Sequence, residues 1–259
     1  MEEHKMPVTE HLGDLRKKII VSLIVLCITF VIAFTYSENI FRFIMFPLKY
    51  NLNFSVKNMD IHFVPKDKLQ NTKLVFLAPA EAFWMNIKVA FVAGLILALP
   101  IIFHQLWKFI SPGLLQKEKK YIIPFIILAT SLFLVGAAFC FFIVLPFAMG
   151  FLLTYKVGDF LSPMLSVGNY VDFCLKFILA FGTIFELPIA IIFFTRMGIV
   201  TPKTLAKNRK YAILLAFVAA AILTPTPDAF NQTLMAVSII VLYEIGIIVS
   251  RIFIRQKVE

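Results

Sequence analysis

The chain reads as long apolar runs separated by short polar, mostly basic stretches. A membrane-spanning helix needs about 20 predominantly apolar residues, and six runs approach or exceed that length. Residues 19–37 carry no formal charge and form the first predicted span. Residues 82–107 form the second, with Lys88 near one end and Trp84 and Trp107 bracketing it. The 23 steps between these tryptophans correspond to roughly 34 Å of helix, the separation of two interfacial aromatic belts. Residues 121–155 are uncharged throughout, too long for one span, and Pro146 suggests a break, so the third span is placed at 121–145. The fourth covers 170–195 and carries Lys176 and Glu186. The fifth, 211–223, and the sixth, 234–250, are short for a hydrocarbon core of about 30 Å. Local bilayer thinning, helices leaning on their neighbours, or boundaries that extend into residues 224–231 would each account for the shortness.

An even number of spans returns the chain to the side it started from. Of the 25 Lys+Arg, sixteen fall in residues 1–18, 104–120, 196–210 and 251–259, and seven in the segments on the other side. The positive-inside rule then places both termini in the cytoplasm. The long outer loop, 38–81, carries six of the seven, three of them far from the helix ends. It alternates apolar and polar residues in places, as in Ile61-His62-Phe63-Val64, and is expected to form a structured cap with short helices. The predicted fold is therefore all-α and polytopic: a single membrane domain of six transmembrane helices over residues 1–259.

Composition agrees. Apolar residues make up 60% of the chain and charged residues 15%, with mean hydropathy +0.89. A soluble domain carries about 25% charged residues, so a soluble enzyme, a secreted disulfide domain and a disordered chain are excluded by the same shortfall. The net charge of +10 would suggest nucleic acid in a soluble protein. Here the basic residues lie between apolar runs, and anionic headgroups and topology account for them without a nucleic-acid partner. Cys27, Cys140 and Cys174 all sit in apolar segments and read as small buried hydrophobes. The charged, amphipathic opening is not expected to be a removable signal.

Several chemistries lack their motifs. There is no phosphate-binding G-x-x-x-x-G-K-[ST], no H-E-x-x-H and no G-x-S-x-G, and the four His are scattered. No cofactor, metal site or catalytic residue is expected, and the chain is not expected to be an enzyme. The acidic residues in and near the spans remain. Asp14 lies in Thr9-Glu10-His11-Leu12-Gly13-Asp14-Leu15-Arg16-Lys17-Lys18, where Leu12, Leu15 and Ile19 share a helical face. Read alone, this is either an interfacial helix start with ordinary surface charges or a functional carboxylate. Glu118 is the one acid in the basic loop Phe109-Ile110-Ser111-Pro112-Gly113-Leu114-Leu115-Gln116-Lys117-Glu118-Lys119-Lys120. It either neutralises Lys119 or Lys120 or receives a cationic partner beside an apolar shelf of Phe109, Leu114 and Leu115. Glu186, in Phe185-Glu186-Leu187-Pro188, costs a few kcal/mol if ionised without a partner in the membrane, and Pro188 removes a backbone donor and loosens the helix. Leu223-Thr224-Pro225-Thr226-Pro227-Asp228 makes a tight outer turn, with Gln232 just beyond it.

Taken in order, H-L-G-D-L-R at 11–16, F-x-x-P-G-L at 109–114, E-K-K at 118–120, F-E-L-P at 185–188, T-P-x-P-D at 224–228 and L-Y-E-I-G at 242–246 resemble the TatC family, the polytopic core of the twin-arginine protein translocase. The resemblance spans essentially the whole chain. It implies binding of the Arg-Arg signal peptide of folded cargo at the cytoplasmic face, and transport driven by the protonmotive force. It also implies work with single-span partners of the TatA type, in some organisms TatB, and several copies of the chain in one complex in a bacterial cell membrane. By the same resemblance, Asp14, Glu118, Phe109 and Leu114 are signal-peptide positions. Glu186, Asp228 and Gln232 are intramembrane and outer-face positions, and Pro47 is structural, as Pro188 is by its place in the helix. Asp14 is one methylene shorter than the glutamate usual there, and Thr226 is an extra residue in the outer turn. The competing class is a proton-coupled small-molecule transporter using Glu186 and Lys176, which the lack of an internal repeat disfavours.

Overall fold

In a bilayer core every backbone N–H and C=O must find its partner within the protein, so the apolar runs fold as helices. The computed structural model describes residues 8–55, 60–65, 74–110, 122–154, 165–226 and 228–255. The chain opens with α1 (Val8–Thr35), then α2 (Ser37–Ile44) and α3 (Phe46–Lys49). Strands β1 (Tyr50–Ser55) and β2 (Asp60–Pro65) pair antiparallel, with Tyr50 opposite Pro65. After β3 (Leu74–Val75) come α4 (Glu81–Ile110), α5 (Ile122–Phe139), a π-helical turn at Cys140–Val144 and α6 (Leu145–Thr154). Strand β4 (Leu165–Ser166) pairs parallel with β3. It leads into α7 (Val167–Ile184), α8 (Leu187–Arg196), α9 (Pro202–Lys207), α10 (Arg209–Leu223) and α11 (Ala229–Arg255).

Among the described residues, five helical stretches are long and apolar enough to cross a membrane: 12–35, 81–110, 122–153, 167–196 and 229–252. α10, which corresponds to the predicted fifth span, has 15 residues and rises roughly 22 Å, shorter than these five. The sixth predicted span is longer than its apolar run. α11 starts among the polar residues Asn231 and Gln232 and continues past Arg251, because helix geometry does not end where hydropathy falls. The break predicted at Pro146 is absent: helix continues from Ile122 to Leu153. The π-turn ends just before this proline and places it in the first turn of α6, where its missing N–H does least harm. The outer loop holds the expected short helices and also the β1–β2 sheet, and its β3 pairs with β4 before α7 in a second small sheet; an all-α reading lacks both. The alternating stretch 61–64 is part of β2.

α7 is the central helix. Half of its apolar window is buried, against 6% for α1. Phe177, Phe181, Val171 and Cys174 are fully enclosed, with Val89 from α4 and Cys140 from the π-turn. Cys27 departs from the expected burial and is exposed, because α1 lies on the periphery. Tyr170 donates its hydroxyl to the Ile44 carbonyl at 2.6 Å, tying the outer cap to the core. α1 and α4 approach backbone to backbone. A Cβ on Gly94 would lie 2.8 Å from the Phe30 Cα and amide nitrogen, so only glycine permits this contact.

Candidate functional site

The pairing of α1 with α4 brings the start of one helix beside the end of the other, on the face that the positive-inside pattern assigns to the cytoplasm. Asp14 sits in the second turn of α1, and four residues on, Lys18 donates to its Oδ2 at 3.1 Å. The same ammonium donates to the Lys108 carbonyl of α4, 90 residues away in sequence, at 3.1 Å. It also lies 5.5 Å from the centroid of the Phe109 ring. Asp14 and Phe109, predicted from separate segments, thus share one neighbour. Beside them a groove of about 320 Å³ runs between the helices, lined by Leu15, Ile19, Leu23, Ile102, Leu106 and Phe109. Leu114 and Glu118, the other two predicted signal-peptide positions, lie outside the described residues.

The predicted intramembrane positions lie elsewhere. α7 ends at Ile184 and α8 begins at Leu187, with Glu186 in the joint. The Glu186 amide bonds to the Thr183 carbonyl at 3.1 Å, and its own carbonyl accepts from Ala190 at 3.0 Å. Pro188, buried in the first turn of α8, supplies the reason for the interruption. Glu186 Oε1 is buried and has no hydrogen-bond partner among the described residues. Lys176 is exposed, and no ion pair joins it to Glu186 among the described residues, so the arrangement lends nothing to a Glu186–Lys176 proton relay.

Asp228 acts as a helix cap. Its Oδ1 accepts from the Asn231 amide at 2.7 Å and its Oδ2 from Asn231 Nδ2 at 2.9 Å. The first of these bonds satisfies a backbone donor that the first turn of α11 leaves open. Gln232 Nε2 reaches the Phe217 carbonyl of α10 at 3.4 Å. Pro47, in α3, is fully buried.

Three polar links escaped the sequence reading. Glu81, at the start of α4, accepts from the Leu77 and Ala78 amides through Oε2, at 2.6 and 3.4 Å. Its Oε1 accepts from the Gly168 amide at 2.6 Å and from the Ser166 hydroxyl. Lys88 bridges to both oxygens of Asp172 at 2.8 Å, joining α4 to α7. Arg209 forks onto Glu244 with contacts of 2.6 and 2.7 Å, joining α10 to α11. The Asp14–Lys18 contact was detectable from its four-residue helical spacing. Apart from the local bonds of Glu81 to the Leu77 and Ala78 amides, the other links connect distant segments and carry no local signal. Among the described residues, no cluster of three or more His, Cys, Asp or Glu could hold a metal ion.

Known proteins show the same architecture. Residues 10–237 match the family model described as Sec-independent protein translocase protein (TatC). The Sec-independent protein translocase protein TatC of Desulforapulum autotrophicum is 40% identical over 256 residues, covering 99% of this chain and 88% of that protein. Its counterpart in Aquifex aeolicus is 38% identical over 255 residues, covering 98% of each chain. A crystal structure described as the twin arginine translocase receptor TatC superposes with a TM-score of 0.77 at 37% identity, covering 93% of this chain and 98% of that one. With its helices, outer cap and α1–α4 groove in this common frame, the chain belongs to the TatC family of multi-pass membrane proteins, non-enzymatic components of the Sec-independent protein translocase.

Proposed function

We propose that the cytoplasmic ends of α1 and α4 bind the twin-arginine signal peptide of folded cargo, with Asp14 and Glu118 receiving the guanidiniums and Phe109 and Leu114 lining the path of the peptide's apolar segment. The observation that carries this reading is the meeting of Asp14 and Phe109 around one cation beside an apolar groove. Carboxylates can accept guanidinium bidentately, and charge-assisted pairs are roughly twice as strong as neutral hydrogen bonds. In the partly dehydrated headgroup zone such a pair exceeds the roughly 0–1 kcal/mol of a fully wet one. Lys117, Lys119 and Lys120 repel basic peptides that lack the correct geometry.

In the same reading the chain sits in a bacterial cytoplasmic membrane in several copies. It works with TatA-type single-span proteins, and with TatB where that partner exists, in export driven by the protonmotive force. Glu186, Asp228 and Gln232 serve cargo passage and partner docking, Asp228 through the α11 start that it caps. Site-specific crosslinking from the 118 region to a twin-arginine peptide in native membranes tests the central assignment. Glu118→Gln is expected to abolish the crosslink while the protein remains inserted. An undiminished crosslink would remove Glu118 from the site.

A further inference from the structure

Lys18 is the cation about which the candidate site is assembled, and the reading above gives it no task. Its side chain is 11% exposed, whereas that of its partner Asp14 is 42% exposed. Its ammonium meets three different acceptors: a carboxylate on α1, the Lys108 carbonyl on α4 and the face of Phe109. Lys108 belongs to the last turn of α4, where carbonyls lack intrahelical donors and the helix dipole presents its negative end. Together these groups form a cation cradle built from two helices.

We propose that Lys18 is the resting occupant of the position that one cargo guanidinium takes, and that its displacement sets the affinity threshold that any basic leader must exceed to be held. This rests on the signal-peptide reading and adds a competitor to it. A cargo lysine exchanges one ammonium for another. It gains no new contact, and it competes with a tethered group of high effective concentration. A cargo arginine brings a planar fork that can hold Asp14 bidentately, donate to the Lys108 carbonyl and stack on Phe109. Displaced, Lys18 has a flexible four-carbon stem that lets its ammonium reach the headgroup layer. Specificity is a difference of affinities; displacing Lys18 costs both peptides alike, so it lowers both affinities by the same factor, and the planar fork of arginine supplies the surplus that keeps its binding measurable.

The test uses the full-length protein in lipid nanodiscs and two labelled synthetic signal peptides that differ only in Arg-Arg against Lys-Lys. Wild type is expected to favour Arg-Arg by about tenfold or more, each tenfold being about 1.4 kcal/mol. Lys18→Met is expected to tighten Arg-Arg and Lys-Lys binding by a similar factor, roughly fivefold, and to leave their ratio unchanged. Lys18→Arg keeps the charge and places a stronger occupant in the cradle, so Arg-Arg binding is expected to weaken. Unchanged affinity for both peptides in Lys18→Met, or Arg-Arg binding as tight as wild type in Lys18→Arg, overturns the competitor role and leaves the signal-peptide reading standing. A wild-type protein that binds both peptides equally overturns both.

Discussion

Two carboxylates at opposite faces of the molecule have contrasting surroundings. Glu81, in the outer cap, is held by three backbone amides and one hydroxyl, with one oxygen facing the turn before α4 and the other facing the start of α7. Asp14, at the other face, is held by the ammonium of Lys18. Backbone donors cannot leave without unfolding the segment that bears them, so Glu81 acts as a fastener. A lysine on a flexible stem can withdraw and yield its place, so Asp14 can exchange partners. The same functional group is structural at one face and suited to binding at the other, according to whether its donors are fixed or mobile.

This contrast is sharpest in substitution. Asp14→Asn removes the charge but keeps the shape. Hydrogen bonds to charged groups contribute about 1.5–3 kcal/mol, so affinity for an Arg-Arg peptide is expected to fall roughly tenfold, with the thermal unfolding midpoint unchanged. Fluorescence anisotropy on nanodisc-embedded protein measures the first quantity and a melting scan the second. Ionic strength has a smaller effect. Raising salt from about 0.1 to about 1 M shortens the Debye length from about 10 to about 3 Å. Peptide affinity is expected to drop roughly threefold through weakened steering and pairing, while the outer cap is unaffected. The smallest effect on binding, within twofold, is expected for Glu81→Gln. Whichever way the amide is turned, its NH₂ faces backbone N–H donors, either of Leu77 and Ala78 or of Gly168. The unfolding midpoint should therefore fall by a few degrees while peptide affinity holds. A binding loss as large as that of Asp14→Asn would erase the distinction between the two carboxylates.

Much of this was legible in the sequence. Runs of uncharged residues located the helices because lipid penalises every exposed polar group, and Pro188 marked the α7–α8 joint because it removes a donor. Pro146 misled because its effect depends on the π-turn before it, which no local pattern announces. The α11 ends were misplaced because polar residues extend a helix beyond its apolar stretch. The outer sheets were only hinted at by the alternation at 61–64, since strand pairing is non-local. Within the site, Asp14 and Phe109 were identified through family resemblance, and their adjacency needed the α1–α4 packing that Gly94 allows. Glu81 ended a loop in the sequence reading and showed no sign of the Ser166 and Gly168 donors waiting where β4 meets α7.

The helix that carries Asp14 is also the one with the least protein around it, only 6% of its apolar window being enclosed. α4 holds it along one side, and the rest of its surface meets acyl chains, so bilayer thickness acts on its depth alongside that packing. Lipid is thus a working component of the candidate site, and the height at which the Asp14 carboxylate rides in the interface is set in part by the thickness of the surrounding bilayer.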